Sequence, residues 1–393
     1  MQIRDDEPQG VARAIALGAA LLVGINLRPA ITSVSTLLDH VSTTFDLGDA
    51  GTGMLATLPI VAFGVTAPLG PMLARRIGTS RALLVAMLAL AAALGLRVVS
   101  GWMLVPGTFI AGAAIMMGAT LIPPFLKSLG ASGLWVGLST MSFGVGAALG
   151  AGLSVPLEDA LGGTAAALAS WAVLAVIAAI AMLFAGRAAG GDPQQQARIV
   201  ITRDNRLTVL IMTTVFSLQS LLYFAVTTWL PSMLAERGTD PATAGWLLGW
   251  FSLIGLVPSL LAPVIARRRR ALTWFGPGLG LAMAAGYAWF ALSSGMDTAV
   301  VSWVGIVQNA GFGLAMGLLV SLSADAPSAG ILSAIAQGVG YAVAGVGSLL
   351  LGLLHDATAG WTASILVMAV LGIALSACTM LVIRRRPISL IAG

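Results

Sequence analysis

Long apolar segments, separated by short clusters of glycine, proline and charged residues, recur along the whole chain. Most are close to the roughly 20 residues that an α-helix needs to cross a bilayer. This pattern predicts twelve membrane-spanning helices. They cover residues 11–41, 50–74, 81–99, 102–127, 133–157 and 164–187 in the first half, and residues 207–235, 241–267, 271–294, 298–324, 330–355 and 361–383 in the second.

One long polar stretch, residues 188–206, interrupts the pattern. It contains Gly-Gly, Asp-Pro and three glutamines, so we expect a flexible cytoplasmic linker. The two sides of this stretch repeat one another, because Ala67-Pro68 and Ala262-Pro263 each precede a basic loop. Duplicated six-helix halves are a common plan in transporters. We therefore predict an all-α polytopic membrane protein with two pseudo-symmetric six-helix bundles, residues 1–187 and 207–393.

The distribution of charge predicts the orientation of these spans. Hydrophobic residues make up 58% of the 393 residues and charged residues 9%, whereas soluble domains carry about 25% charged residues. Of the 20 basic residues, seventeen fall in termini or loops on the side of the N-terminus; the exceptions are Arg28, Arg97 and Arg237. This bias predicts a bacterial inner-membrane protein with both termini in the cytoplasm.

Several functional classes are disfavoured by the rare residue types. One cysteine and two histidines leave no disulfide within the chain, no cysteine cluster and no His-rich metal site. No phosphate-binding loop with its lysine occurs. The basic residues are scattered in short loops, which does not indicate nucleic-acid binding. We therefore expect no enzymatic activity, no cofactor and no bound metal.

Arg28 lies inside the first predicted span, and no acidic residue falls at a comparable depth. An intramembrane charge is costly and usually functional. The guanidinium offers a fixed fork of donors, which suits a carboxylate, a cyanate-like anion or a nitro group. Pro29 lacks an N–H, so a carbonyl near Ile25 loses its helical partner, and Asn26 could satisfy part of that polarity. The alternative is that Arg28 donates to such carbonyls and holds a kink.

Polar side chains recur at a four-residue spacing on two other spans. Gln219 and Tyr223 share a face of the seventh span, and Gln337 and Tyr341 share a face of the eleventh. Amides and phenols suit a small polar solute, although hydrogen bonding between helices is an equal alternative. The full set of candidate substrate-binding residues is Arg28, Asn26, Gln219, Tyr223, Gln337, Tyr341, Trp229, Gln308, Asn309 and Ser142.

Three further residues lie near the outer ends of predicted spans. Arg97 closes the third span, and we expect it to extend to the membrane interface. His40 and His355 close the first and eleventh spans. They could sense or relay protons, because histidine titrates near neutrality, or cap a helix end in solvent. For Trp229, an interfacial anchor is the alternative to a wall of the binding cavity.

Four motifs carry a resemblance to a known family. They are residues 26–30 (Asn-Leu-Arg-Pro-Ala), 137–141 (Gly-Leu-Ser-Thr-Met), 218–223 (Leu-Gln-Ser-Leu-Leu-Tyr) with Trp229-Leu230-Pro231, and 332–341 with residues 352–356. On these, the chain resembles the major facilitator superfamily, and within it the branch that includes cyanate and 2-nitroimidazole transporters. The resemblance implies two bundles that rock around a central cavity, and a small anion or a nitro-aromatic as solute. Ala74 and Ala119 depart from the family pattern, where an aspartate and an asparagine are expected.

We therefore predict a secondary active or facilitated transporter that alternates access to a site containing Arg28. Its expected partners are a small anionic or nitro-bearing solute and the lipid bilayer; coupling to protons stays open, and we expect a monomer. The alternative is a multidrug or metabolite efflux antiporter of the same fold, which typically uses an intramembrane acid. A non-transporting membrane sensor is the remote alternative, because the loops are too short for an output domain.

Overall fold

The computed structural model describes residues 6–47, 49–188, 199–293 and 295–391. These residues form sixteen helices and two isolated β-bridges. The helices are α1 (Asp6–Asn26), α2 (Pro29–Thr36), α3 (Leu38–Thr44), α4 (Asp49–Thr66), α5 (Leu69–Ile77), α6 (Thr79–Leu96), α7 (Gly101–Ser128), α8 (Gly133–Leu161), α9 (Thr164–Ala188), α10 (Arg203–Glu236), α11 (Pro241–Ile254), α12 (Leu256–Ala266), α13 (Arg269–Leu292), α14 (Asp297–Ser321), α15 (Ala326–Thr358) and α16 (Trp361–Val382).

Eleven segments of the described chain are long and apolar enough to cross a membrane. The pair α4 and α5 supplies a twelfth when it is counted as one bent span, with an angle of 47° at the break. The chain is therefore a multi-pass membrane protein, and the predicted all-α fold with twelve spans is confirmed. Its helical surface is apolar where lipid would lie, with side chains such as Val65, Val173 and Val370 more than 60% exposed.

Three of the predicted spans are interrupted, and each has a break at or beside a proline or glycine. The first span divides at Arg28 and again at Leu37, and the eighth divides at Gly255. The second bends at Ala67-Pro68, where Pro68 directly precedes α5 and has no N–H to donate to the preceding turn. Pro263, its counterpart in the second half, lies inside α12. The repeated Ala-Pro sequence therefore breaks the helix in only one half.

The predicted linker is partly helical. α9 extends to Ala188 and α10 begins at Arg203, so residues 203–206 belong to a helix. Residues 189–198, the centre of the predicted linker, lie outside the described residues. Beyond them, Val200 donates its N–H to the carbonyl of Leu390 at 3.0 Å, which joins this segment to the C-terminal residues. The division into residues 1–187 and 207–393 stays a prediction.

The two ends of the bundle differ in charge. We call the end with Arg75, Arg76, Lys127 and residues 267–270 the basic end, and the opposite end, with Glu158, Glu236 and Asp297, the acidic end. At the acidic end Arg237 Nε lies 2.9 Å from Asp297 Oδ1. His40 Nδ1 lies 2.6 Å from Glu158 Oε2, and His355 Nε2 lies 3.1 Å from Glu236 Oε2. Both histidines therefore join two helices, and their function stays open.

The halves meet along several helix pairs, among them α8 with α12, α4 with α15 and α7 with α15. A Cβ at Gly137 would overlap the carbonyl oxygen of Leu260, and a Cβ at Gly133 would lie 2.9 Å from the carbonyl oxygen of Pro263. On α15, a Cβ at Gly338 would lie 2.6 Å from that of Ala67, the residue that directly follows α4. Glycine therefore permits close backbone contact between the halves from the basic end inward.

The prediction for Arg97 is wrong. Its side chain is 0% exposed and does not reach the membrane interface. Instead its Nη1 donates to the carbonyl oxygen of Ala30 at 3.1 Å. The reason is local: Arg97 ends α6 directly against Gly107 of α7, where any side chain would overlap Arg97 Cβ, and the guanidinium turns inward to α2.

Candidate functional site

Arg28 occupies the break between the first two helices. α1 ends at Asn26, α2 begins at Pro29, and Arg28 is the residue that precedes α2, with φ −121° and ψ −38°. The N–H groups of Ile31 and Thr32 both donate to the carbonyl of Arg28, each at 3.0 Å. This carbonyl therefore closes the first turn of α2. The side chain of Arg28 is half-buried and is free to point away from that turn.

The guanidinium of Arg28 faces an aromatic ring of the other half. Its Cζ lies 5.5 Å from the ring centroid of Tyr223 on α10, within the range of a cation–π contact. Within the described residues it forms no ion pair, and no main-chain carbonyl accepts from it. The alternative in which Arg28 holds a kink through such carbonyls therefore has no support among these contacts. The guanidinium keeps its donors for another partner.

Close packing on α8 supports the break beside Arg28. A Cβ at Gly146 would overlap the carbonyl oxygen of Ile25, and a Cβ at Gly150 would lie 2.8 Å from Cα of Pro29. The C-terminal end of α1 therefore packs directly against glycines of α8. Asn26 completes the arrangement, because its Nδ2 donates to the carbonyls of Leu22 at 2.8 Å and Leu174 at 3.1 Å.

A group of eight aromatic rings, which we call the aromatic cluster, adjoins Arg28 through Tyr223. Tyr223 packs at centroid distances of 5.8 Å on Phe224, 6.0 Å on Phe251 and 6.4 Å, stacked, on Phe312. Tyr341 packs at 5.9 Å on Phe224. The cluster comprises Phe63 and Phe143 of the first half and Phe216, Tyr223, Phe224, Phe251, Phe312 and Tyr341 of the second.

Only three rings of the aromatic cluster are partly exposed: Tyr223, Phe224 and Phe312. The other five are buried, with Tyr341 at 6% exposed. The accessible surface next to Arg28 therefore consists of its guanidinium and the faces of these aromatic rings. Sequence reasoning identified both tyrosines but missed the six phenylalanines. A signal was present, because these phenylalanines lie within spans and away from the span ends where interfacial anchors concentrate.

The paired glutamines Gln219 and Gln308 lie behind this surface. Gln219 Nε2 donates to the carbonyl of Gln308 at 2.8 Å, and Gln308 Nε2 donates to the carbonyl of Gln219 at 3.0 Å. Tyr287 donates its hydroxyl to Gln308 Oε1 at 3.0 Å. Gln219 is 1% exposed and Gln308 0%. These contacts are hydrogen bonds between helices α10 and α14, which is the alternative to solute binding that the sequence allowed.

Gln337 joins the two halves. Its Nε2 donates to the carbonyl of Ala119 on α7 at 3.1 Å, and the side chain is 0% exposed. Its Oε1 has no partner among the described residues. Ala119 stands where the family pattern has an asparagine. Gln337 therefore contacts the main-chain carbonyl at this position rather than an amide side chain. Tyr341, one turn further along α15, lies in the aromatic cluster.

The remaining candidates lie in helix contacts away from Arg28. Trp229 Nε1 donates to the carbonyl of Ser348 at 2.8 Å near the acidic end. Asn309 Nδ2 donates to the carbonyl of Gly305 at 2.9 Å. Ser142 donates to the carbonyl of Ser139 at 2.6 Å and packs against Gly24. The structure thus brings Arg28, Tyr223 and Tyr341 to one place. The binding roles of all ten candidates stay predictions.

Comparison with known proteins identifies the family. A sequence model of the Major Facilitator Superfamily matches residues 19–348. The chain belongs to this superfamily. It is 28% identical to the 2-nitroimidazole transporter of Escherichia coli over 375 residues, 93% of this chain and 94% of that protein. It is 26% identical to the cyanate transport protein CynX of Escherichia coli over 344 residues, 86% of this chain and 88% of that protein.

Further relatives agree with a transporter of this superfamily rather than an enzyme. The uncharacterized transporter YycB of Bacillus subtilis is 30% identical over 365 residues, 88% of each chain. The fucose transporter FucP in its outward conformation has a TM-score of 0.74 at 12% identity, covering 94% of this chain and 99% of that one. The human organic anion transporter TETRAN has a TM-score of 0.73 at 13% identity, covering 93% and 99%. The predicted resemblance to the cyanate and 2-nitroimidazole branch is confirmed.

Proposed function

We propose that this transporter of the Major Facilitator Superfamily carries a small solute with an anionic or nitro group by alternating access. The solute's electronegative end binds Arg28, and its body lies against the exposed rings of Tyr223, Phe224 and Phe312. The observation that carries this proposal is the half-buried guanidinium inside a span, 5.5 Å from the Tyr223 ring and without a carboxylate partner among the described residues. The similarity to transporters named for cyanate and 2-nitroimidazole agrees with such a solute.

The arrangement of contacts supports a state that is closed at the basic end. The halves pack closely there, where Gly137 faces the carbonyl oxygen of Leu260 and Gly338 faces the side chain of Ala67. On α2, Ser35 and Thr36, towards the acidic end, are exposed. With both termini in the cytoplasm of a bacterial inner membrane, as the charge bias indicates, this is an outward-facing state of a monomer.

Among the described residues, no carboxylate lies beside Arg28 to carry a proton. Asp325 precedes α15 at the basic end, where its Oδ1 accepts from the N–H of Ser328 at 2.8 Å. Glu158 and Glu236 pair with histidines at the acidic end. Moving one charge against the membrane potential costs about 2.3 kcal/mol per 100 mV. An uncoupled carrier of this kind would release an anion outward, whereas a neutral nitro compound could move in either direction.

The test is uptake of labelled cyanate and 2-nitroimidazole into proteoliposomes that contain wild type, Arg28→Ala or Arg28→Lys. We expect Arg28→Ala to abolish uptake with the fold intact. Arg28→Lys should recover little, because a lysine ammonium cannot reproduce the planar fork of donors. Arg268→Ala is the matched control, since Arg268 is exposed at the basic end. Wild-type uptake by Arg28→Ala would reject the proposed site. Preloaded vesicles under a reversed potential would give the direction of transport.

A further inference from the structure

Arg97 is a second cation in the first half, and it is fully buried. Its exposure is 0%, and it is the largest of the fully buried side chains. Nη1 donates to Ala30 O at 3.1 Å, whereas Nε and Nη2 have no hydrogen-bond partner among the residues that the structure describes. No carboxylate pairs with it within the part of the chain that the structure describes.

A purely structural role does not account for this charge. One carbonyl can be satisfied by a neutral amide, whose burial is far less costly than that of an ion. Removing a guanidinium from water without a paired carboxylate carries a large desolvation penalty. The two unpartnered donors add to it. What needs explanation is therefore the positive charge itself, and not the single bond to Ala30.

The position of the bond relates Arg97 to the solute site. Ala30 lies in the first turn of α2, two residues after Arg28, and the carbonyl of Arg28 closes that same turn. Arg97 therefore holds the segment that presents the Arg28 side chain. Both cations lie at the N-terminal end of α2, where the helix dipole is itself positive. No negative group of the described chain neutralises these two cations, so an anion bound at Arg28 would reduce the repulsion between them.

We propose that Arg97 is a positioning residue of the solute site, which holds the turn that presents Arg28 and whose buried charge makes the site favour anionic over neutral solutes. This inference rests on the proposed binding of the solute at Arg28. Arg97 does not contact the solute, because it is enclosed by α2 and α7.

The experiment measures the electrostatic potential at position 28 without requiring transport. Cys378 is the sole cysteine, so Cys378→Ser with Arg28→Cys leaves one thiol at the site. The purified full chain in proteoliposomes is labelled with an anionic (sulfonatoethyl) or a cationic (trimethylammonioethyl) methanethiosulfonate. The thiolate attacks either reagent, forms a mixed disulfide and releases methanesulfinate, so the ratio of the two labelling rates reports the local potential. The comparison is between Arg97, Arg97→Gln, which keeps a donor for Ala30, and Arg97→Lys, which keeps the charge.

We expect Arg97→Gln to lower the anion-to-cation rate ratio by roughly fivefold, because a nearby buried charge is weakly screened. Arg97→Lys should keep most of the ratio. An unchanged ratio in Arg97→Gln would overturn the inference. The same substitution should leave the ratio unchanged for a thiol introduced by Thr358→Cys, at the exposed end of α15.

Gly107→Ala tests the positioning role with the charge retained. Its Cβ would overlap Cβ of Arg97 and displace it from Ala30. We expect both labelling rates to change together while their ratio is kept, and unchanged rates would contradict the positioning role. In protein with Arg28 present, Arg97→Gln should raise the KM for cyanate more than that for a neutral solute. If Arg28→Ala transports normally while the labelling ratio depends on Arg97, the proposed function fails, and of the inference only the effect of Arg97 on the potential at position 28 stands.

Discussion

Replacing Tyr223 by leucine removes the ring that faces Arg28 and should weaken solute binding in a manner that depends on the solute. The cation–π contact, with Cζ 5.5 Å from the centroid, stabilises the guanidinium by about 1 kcal/mol at a half-buried site. A planar solute loses in addition a stacking contact worth about 1 kcal/mol. The sum of about 2 kcal/mol corresponds to a roughly 30-fold weaker Kd for 2-nitroimidazole. Cyanate has no ring and loses only the first contribution, which is roughly fivefold.

Isothermal titration of the purified protein with each solute measures both effects. Tyr223→Phe is the matched control, because it keeps the ring and removes only the hydroxyl, for which the structure shows no hydrogen bond among the described residues. We expect its Kd values to stay within about threefold of wild type. If phenylalanine weakens binding as much as leucine does, the hydroxyl binds the solute and the argument from the ring fails. Equal losses for the two solutes would show that no stacking occurs.

Two further predictions concern closure of the basic end and the buried glutamines. Gly137→Val should prevent close approach of α8 and α12, because its Cβ would overlap Leu260 O. We expect slower uptake and faster labelling, from the basic end, of a thiol introduced by Gly330→Cys. Gly152→Val should behave like wild type, because no atom of a neighbouring described residue would lie within 4 Å of its Cβ. Gln308→Leu should leave the carbonyl of Gln219 and the hydroxyl of Tyr287 unpaired, at a cost of about 1–3 kcal/mol each. We expect a lower unfolding temperature without a selective rise in KM. A raised KM at unchanged unfolding temperature would instead support the predicted binding role.

The spans could be predicted from the sequence because apolar length is a property of each segment by itself. The breaks could not be predicted equally well. Arg28-Pro29 signals one break directly, since proline lacks the N–H that would continue the helix. Pro68 and Pro263 occur in the same local sequence, yet only Pro68 coincides with a bend. The difference depends on packing against other helices, which the local sequence does not contain.

The two intramembrane arginines, Arg28 and Arg97, show the same limit at the level of single side chains. Arg28 was identified because a charge within an apolar stretch is anomalous on any helix. Arg97 was assigned to the interface because its position near a span end usually permits the side chain to reach water. Its burial is caused by Gly107, which admits the Arg97 backbone, and by a carbonyl of α2 that accepts its bond. Ala30 is distant along the chain, and Gly107 belongs to the next helix, so the sequence around the span end does not contain either contact.

The division of the site between the halves bears on how a solute could drive the transport cycle. Arg28 belongs to α1–α2, whereas Tyr223 and the other exposed rings belong to α10 and α14. Any rocking of one half against the other must therefore change the contact between guanidinium and ring. Without a solute, separating them forfeits about 1 kcal/mol of cation–π energy and leaves the guanidinium without a partner. A solute with an electronegative end for Arg28 and a flat face for Tyr223 can bridge the two groups at a larger separation. Binding energy would then be available in both states of the carrier, which is the condition for a ligand to lower the barrier between them.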